Sequence, residues 1–363
     1  MQERDAAKTA QLRRRLLEWY GRSRRDLPWR RNPDPYAIWV SEIMLQQTRV
    51  AVVVERYQAF LARFPTLVSL ALAPEQEVLA LWSGLGYYRR ARMLHKAAQF
   101  VADRYQGNLP VTSQALRLLP GIGVYTAAAI ASIAHDEVVA VVDGNVERVL
   151  CRLAGWDAGG RTGGADLKRK IAGMASQLVD PAHPGDFNQA LMELGATVCL
   201  PRNPQCLLCP IAGDCATQGE HKTPPRAPML SREVAHALSV RIGRHPGEAH
   251  REVLLEQRPS EQTVMPGLWE LPALRDVVVP PEDLRMTVRH AIMQVNYYVR
   301  VRTVFEDDVD ALTVAGGERR WVPLAEAAGM ALTGLARKVL KRARLLPEVS
   351  LDSIAPEAGE PVV

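Results

Sequence analysis

The sequence predicts a mostly α-helical N-terminal region followed by a smaller α+β C-terminal domain. Three observations predict it. Apolar residues recur at helical spacing up to about residue 198, four cysteines crowd into residues 199–215, and beyond Cys215 the pattern changes to the alternation of strands. The chain has 363 residues, of which 47% are hydrophobic and 23% charged, a composition able to bury more than one core.

Taken in order, the predicted helices are 12–20, 36–48, 50–64, 75–82, 90–105, 113–119, 125–134, 146–153, 166–178 and 187–198. Each is punctuated by Pro, Gly or a capping side chain; Asp34–Pro35 pairs a cap with proline at the first helical position. These lie in a first domain, 8–217. Residues 218–234 read as a linker because 218–228 is polar and proline-rich. The second domain, 235–346, carries strand-like runs at 237–242, 252–257, 294–304 and 320–322, then a basic helix near 335–344. Residues 347–363 read as a disordered tail, and no internal repeat is visible.

The net charge is +5 and the pI about 9.0, a basic excess that fits a nucleic-acid partner without requiring one. The longest apolar stretch, 126–142, is broken by His135, Asp136 and Glu137, which excludes a membrane span there. Residues 1–15 are polar and charged, with no apolar core of a secretory leader. The expected compartment is therefore cytoplasmic and reducing, and an odd count of five cysteines argues against a disulfide framework.

Cys199, Cys206, Cys209 and Cys215 are spaced C-x6-C-x2-C-x5-C, with Pro201, Pro204 and Pro210 breaking any helix between them. Four thiolates so close in sequence suit an iron–sulfur cluster or a closed zinc site. Upstream, Leu118-Leu119-Pro120-Gly121-Ile122-Gly123-Val124 sits between two helical runs. Gly121 and Gly123 permit a tight turn whose backbone N–H groups can grip a phosphate. Asp143 precedes the helix that begins near Val146, where a carboxylate is favoured by the helix dipole; it is either a plain cap or a functional acid. Ile38, Glu42 and Leu45 share one helix face, so Glu42 is an acid on an apolar stripe. It is either paired with a buried arginine or held neutral by desolvation, which suits a general acid.

Together these motifs resemble the endonuclease III and MutY-type DNA glycosylases. The cysteine spacing after Ala190-Leu191-Met192-Glu193-Leu194-Gly195 resembles their iron–sulfur loop, Leu118–Ala127 their helix–hairpin–helix, and Val40–Val50 the segment most diagnostic of the MutY type. The resemblance spans roughly residues 10–345. It implies a six-helix barrel plus a [4Fe–4S] helical domain and an appended Nudix-like domain. It also implies one [4Fe–4S] cluster and a monomeric, nucleoid-associated enzyme acting on duplex DNA with adenine mispairs. On the resemblance, Glu42 protonates N7 of a flipped adenine and Asp143 stabilises the sugar cation, with Asn145 bonded beside it. Tyr125 stands where bifunctional relatives carry a Schiff-base lysine, which implies hydrolysis by water.

Further roles follow from the same resemblance. Gln47 and Tyr87 match the family's wedge residues, although core packing is the plainer role for Tyr87, and Thr48 beside Gln47 is implied as a further DNA-binding residue. Trp29, Arg30, Leu45, Val50 and Gln189 match positions lining the adenine pocket. Arg202, in the loop between Cys199 and Cys206, is either a phosphate contact or an ordinary exposed arginine. Met265–Pro272 resembles the Nudix-like domain, but no glutamate-rich Nudix box follows it. The family reads 8-oxoguanine with a Phe-Ser-His-type loop; here Ile292, Met293 and Gln294 fall over it, or in a slipped register Val288, Arg289 and His290. Three other functions compete: a lyase acting on damaged pyrimidines, a non-catalytic DNA-binding module, and a Nudix-type nucleotide hydrolase.

Overall fold

A computed structural model of the chain describes residues 2–156, 164–221, 228–243, 250–314 and 316–346. The expected tail, 347–363, and the central part of the expected linker, 222–227, lie outside them. The fold is helical through the cysteine loop and α+β beyond it. The helices are α1 (Gln2–Ser23), α2 (Pro35–Leu45), α3 (Val50–Arg63), α4 (Leu67–Leu72), α5 (Glu75–Leu81), α6 (Arg89–Tyr105), α7 (Ser113–Leu116), α8 (Val124–His135), α9 (Gly144–Ala154), α10 (Ala165–Leu178) and α11 (Pro184–Thr197). No helix among the described residues is long and apolar enough to cross a membrane.

The helix starts have local causes. Asp34 caps α2 by accepting from Ala37 N at 2.9 Å, with Pro35 at the first helical position. Asp143 caps α9 and Thr112 caps α7 in the same way. The predicted helix 113–119 closes early, at Leu116, because the chain turns ahead of Pro120. Helix α4 is a single short helix that apolar period alone does not reveal.

The chain forms two compact units. The first comprises Met1–Gln46, Thr66–Val68 and Lys96–Arg226. Its core joins Leu16 and Tyr20 of α1, Val149 and Leu150 of α9, Ile171 of α10, and Phe187, Leu191 and Leu194 of α11. Helix α8 packs against both α2 and α11, which sets the positions of their side chains.

The second unit comprises Gln47–Pro65, Ser69–His95 and Ala227–Val363. It holds β1 (Leu230–Leu238), β2 (Val240–Ile242), β3 (Arg251–Gln257), β4 (Trp269–Glu270), β5 (Leu284–Ile292), β6 (Val295–Thr303), β7 (Arg319–Pro323), and helices α12 (Val309–Leu312), α13 (Leu324–Ala327) and α14 (Gly334–Arg342). One sheet has the order β1-β6-β5, with β1 parallel to β6; the other is centred on β3, flanked by β2, β4 and β7. Helix α14 buries Ala336, Val339 and Leu340 in their core. Its Arg337 donates to Ser83 Oγ at 2.8 Å, and Tyr88 donates to the Leu332 carbonyl at 3.1 Å. These bonds tie the α5–α6 segment to the sheets.

Two expectations need correction here. Strand β1 begins at Leu230, inside the stretch expected to be linker. Residues 288–294 are not all loop: 288–292 belong to β5, and the turn is only Met293–Gln294. The pairing Val288↔Val299, His290↔Tyr297 and Ile292↔Val295 leaves a two-residue hairpin. Met293 sits at its tip with φ 54° and 74% exposure, the left-handed geometry such tight turns require.

Candidate active site

Glu42 lies on the buried face of α2 and is only 6% exposed. Burial pushes its carboxyl up to about 7 from an ordinary 4.5. The Tyr125 hydrogen bond and the Arg30 charge oppose that rise, while the Asp143 charge adds to it. Tyr125 is the second residue of α8, directly after the glycine hairpin, and its hydroxyl donates to Glu42 Oε2 at 2.5 Å. Burial first, then the adjacent Glu42, holds the Tyr125 phenol well above its usual range. Thus the sequence alternative of a Glu42 salt-bridged to a buried arginine is not what forms; its direct partner is a phenol.

Asp143 is both a cap and a candidate functional acid. Its Oδ1 accepts from Asn145 N at 2.9 Å and Val146 N at 2.7 Å, and its Oδ2 from Asn145 Nδ2 at 3.0 Å. Three donors therefore fix the carboxylate in one orientation at the start of α9. Asn145 is held in turn by Arg148 Nη2, 2.8 Å from its Oδ1, and Arg148 also donates to the carbonyls of Gly195 and Cys199. Gly195 lies so close that a Cβ there would meet Asn145 Cβ at 2.6 Å.

Trp29, 7% exposed, and Arg30 sit on the 3-10 turn Pro28–Arg30, which packs on α2. Gln189 is half-buried on α11, one helical turn from Glu193, and Leu45 is half-buried at the end of α2. In the hairpin, Gly121 takes φ 75° and Gly123 caps α8, both exposed, between exposed Leu118 and Val124. All of these belong to the first unit.

In the second unit, Gln47 and Tyr87 are both exposed, at φ 56° and 47°. Arg90 links their loops: its Nη2 donates to Thr48 Oγ1 at 3.0 Å, Leu85 O at 3.0 Å and Gly86 O at 3.2 Å. Its guanidinium lies 5.6 Å from the Tyr87 ring centroid and 5.5 Å from that of Trp82. Tyr87 is thus not core packing, since half its surface is exposed. Val50 is half-buried at the start of α3.

Cys199, Cys206, Cys209 and Cys215 ring one recess, lined also by Arg152, Val198 and Pro204. Burial pushes the Cys209 thiol up to about 11, and the other three thiols add to that. Arg152 Nη1 lies 3.3 Å from Cys199 Sγ. Four half-buried sulfurs around one recess fit a polynuclear thiolate-bound group, whose cationic metals would hold them deprotonated. Cys151 is fully buried in the α9 core and has no place in the ring. Arg202 is exposed on the loop beside the recess.

Local motifs did not point to Glu193, Arg25, Arg148 or Gly195. An acid between Leu191 and Leu194 on an apolar helix face was the one available signal for Glu193.

Comparison with known proteins defines the class. Residues 40–170 match the model of the HhH-GPD superfamily base excision DNA repair protein, and residues 199–215 match the iron-sulfur binding domain of endonuclease III. A human adenine DNA glycosylase is 50% identical over 226 residues, covering 58% of this chain and 40% of the relative. The mouse counterpart is 41% identical over 325 residues, covering 74% of this chain and 62% of the relative. The solved structure of a thermostable thymine-DNA glycosylase is 30% identical with TM-score 0.53, covering 59% of this chain and 98% of that one. The chain spans between about two-fifths and three-fifths of the length of these mammalian relatives.

The chain belongs to the HhH-GPD superfamily of base excision DNA repair proteins, and within it is similar to the adenine DNA glycosylases. It carries a [4Fe–4S] cluster, which Cys199, Cys206, Cys209 and Cys215 would hold.

Proposed function

We propose that the protein is a monofunctional adenine DNA glycosylase. It hydrolyses the N-glycosidic bond of adenine opposite 8-oxoguanine or guanine in duplex DNA. The observation that carries this reading is the pairing of a desolvated, phenol-bonded Glu42 with the rigidly capped Asp143. Two carboxyls in contrasting surroundings divide acid and stabilising roles. The names of the mammalian relatives support the choice of adenine.

In this mechanism the adenine is flipped out of the stack, with Gln47 and Tyr87 occupying the duplex and Thr48 binding DNA beside Gln47. Trp29, Arg30, Leu45 and Gln189 of the first unit line its pocket. Glu42 delivers a proton to adenine N7 as the C–N bond breaks, and the bonding electrons leave with the base. Positive charge then develops on the sugar beside Asp143, which stabilises it until water adds at the anomeric carbon and its surplus proton passes to the Glu42 carboxylate. Tyr125 orients Glu42 and cannot form a Schiff base, so no strand cleavage accompanies base loss. The amides at Gly121 and Gly123 and the side chain of Arg202 contact phosphates. Cys199, Cys206, Cys209 and Cys215 would hold the cluster, which would pin their loop. The catalytic part is 8–217, and 235–346 addresses the opposite base through the Met293–Gln294 turn. The enzyme works as a monomer on cytoplasmic, nucleoid DNA.

The test is single-turnover base release from duplexes with adenine opposite 8-oxoguanine, guanine, cytosine or thymine. Fast release opposite 8-oxoguanine or guanine, without strand cleavage, is expected. Release of no adenine from any duplex, or release of a pyrimidine instead, overturns the reading.

A further inference from the structure

Glu193 is a fully buried acid that the chemistry above does not use. Its side chain has 0% exposure, on the face of α11 that packs into the first unit. Four hydrogen bonds converge on it. Arg25 donates from its backbone N at 3.1 Å and from Nε and Nη2 at 2.8 Å each, and Arg30 Nη2 donates at 2.8 Å. Burial alone would push this carboxyl up, but the Arg25 and Arg30 bonds outweigh it and hold it at about 2. Glu193 is therefore a permanent anion at working pH.

Arg30 is the residue through which this anion reaches the site. Its guanidinium is 11% exposed, donates to the Arg25 carbonyl at 3.1 Å, and lies 5.4 Å from the Tyr20 ring centroid. It sits on the turn that packs on α2, and its charge is felt at Glu42. The titratable and charged groups facing Glu42 are Tyr125 from α8, Asp143 ahead of α9, and Arg30 from this turn. Only Arg30 is a cation, so only Arg30 favours loss of the Glu42 proton by its charge. An anion bonded to Arg30 cancels most of that field.

We infer that Glu193 is a positioning residue of the reaction: from α11 it clamps Arg25 and Arg30 and offsets the Arg30 charge, so that Glu42 keeps its proton at neutral pH. The clamp also fixes the turn carrying Trp29. A structural ion pair alone would hold the turn but leave no mark on the acid. This inference rests on the reading of Glu42 as general acid.

The experiment is the pH profile of single-turnover adenine release by the full chain with its cluster, for the parent, Glu193→Gln and Arg30→Gln. The parent rate should fall as pH rises through the Glu42 value near 7. In Glu193→Gln the uncompensated Arg30 should move that alkaline limb down by about one pH unit, so that at pH 8 its rate falls about a hundredfold below its own acidic plateau, against about tenfold for the parent. Arg30→Gln leaves Glu193 its three bonds to Arg25, so it keeps the fold if Glu193→Gln does not. Its limb should move up. A uniform rate loss with the limb unmoved in either variant overturns the inference while leaving the glycosylase reading intact. A parent that releases adenine with no alkaline limb overturns the acid role of Glu42, and this inference with it. A parent that releases no adenine overturns the function.

Discussion

Replacing Glu42 with glutamine exposes what the buried acid costs the fold. In the native state burial raises its carboxyl from 4.5 to about 7. A carboxyl raised on folding contributes its full stability below the unfolded value, and that contribution is lost as pH rises through the folded value. At 1.36 kcal/mol per pH unit, the rise corresponds to about 3 kcal/mol, lost between roughly pH 4.5 and 7. Glutamine is nearly isosteric and never ionises. Glu42→Gln should therefore match the parent in stability near pH 4.5 and exceed it by about 3 kcal/mol at pH 8. The assay is urea denaturation of both proteins across that range, followed by helical circular dichroism. A stability difference that does not change with pH would refute the desolvation argument, and a variant less stable than the parent at pH 8 would reverse its sign.

Three other perturbations follow from the site. Tyr125→Phe removes the 2.5 Å bond that favours charged Glu42, so the alkaline limb of base release should move to higher pH while the rate near neutrality drops about tenfold from lost orientation. Gly195→Ala puts a Cβ 2.6 Å from Asn145 Cβ and 3.1 Å from its carbonyl. Displacing the start of α9 by about 1 Å should slow base release about a hundredfold with little change in helical content, as read by single-turnover kinetics and circular dichroism. Cys209→Ser removes one sulfur from the recess, and the purified protein should lose its brown colour and the visible absorbance of the cluster, with lower thermal stability of the adjoining core.

The parts of this site that were legible in the sequence are those written in short local motifs. Asp143 before α9, Tyr125 after the hairpin and Glu42 on an apolar face each carry their context within a few residues. The cysteine ring is likewise a single loop. The Glu193 clamp was not legible, because its partners lie 168 and 163 residues away and only packing of α11 brings them together. The same contrast holds for the fold. The long helices follow from apolar period and caps, whereas the start of β1 is exposed from Leu230 to Glu233 and has no alternation to read. Strand β5 escaped because its burial is shallow, with Val288 its one fully covered residue. Its register comes instead from pairing with β6.

The most direct test of the central claim is single-turnover adenine release opposite 8-oxoguanine by the parent, Glu42→Gln and Asp143→Asn, with duplex binding measured alongside. Asparagine can still cap α9, so Asp143→Asn removes charge with little cost to the helix. The account predicts release by the parent, no detectable release by either variant, and binding retained by all three. Release by either variant at the parent's rate would contradict it.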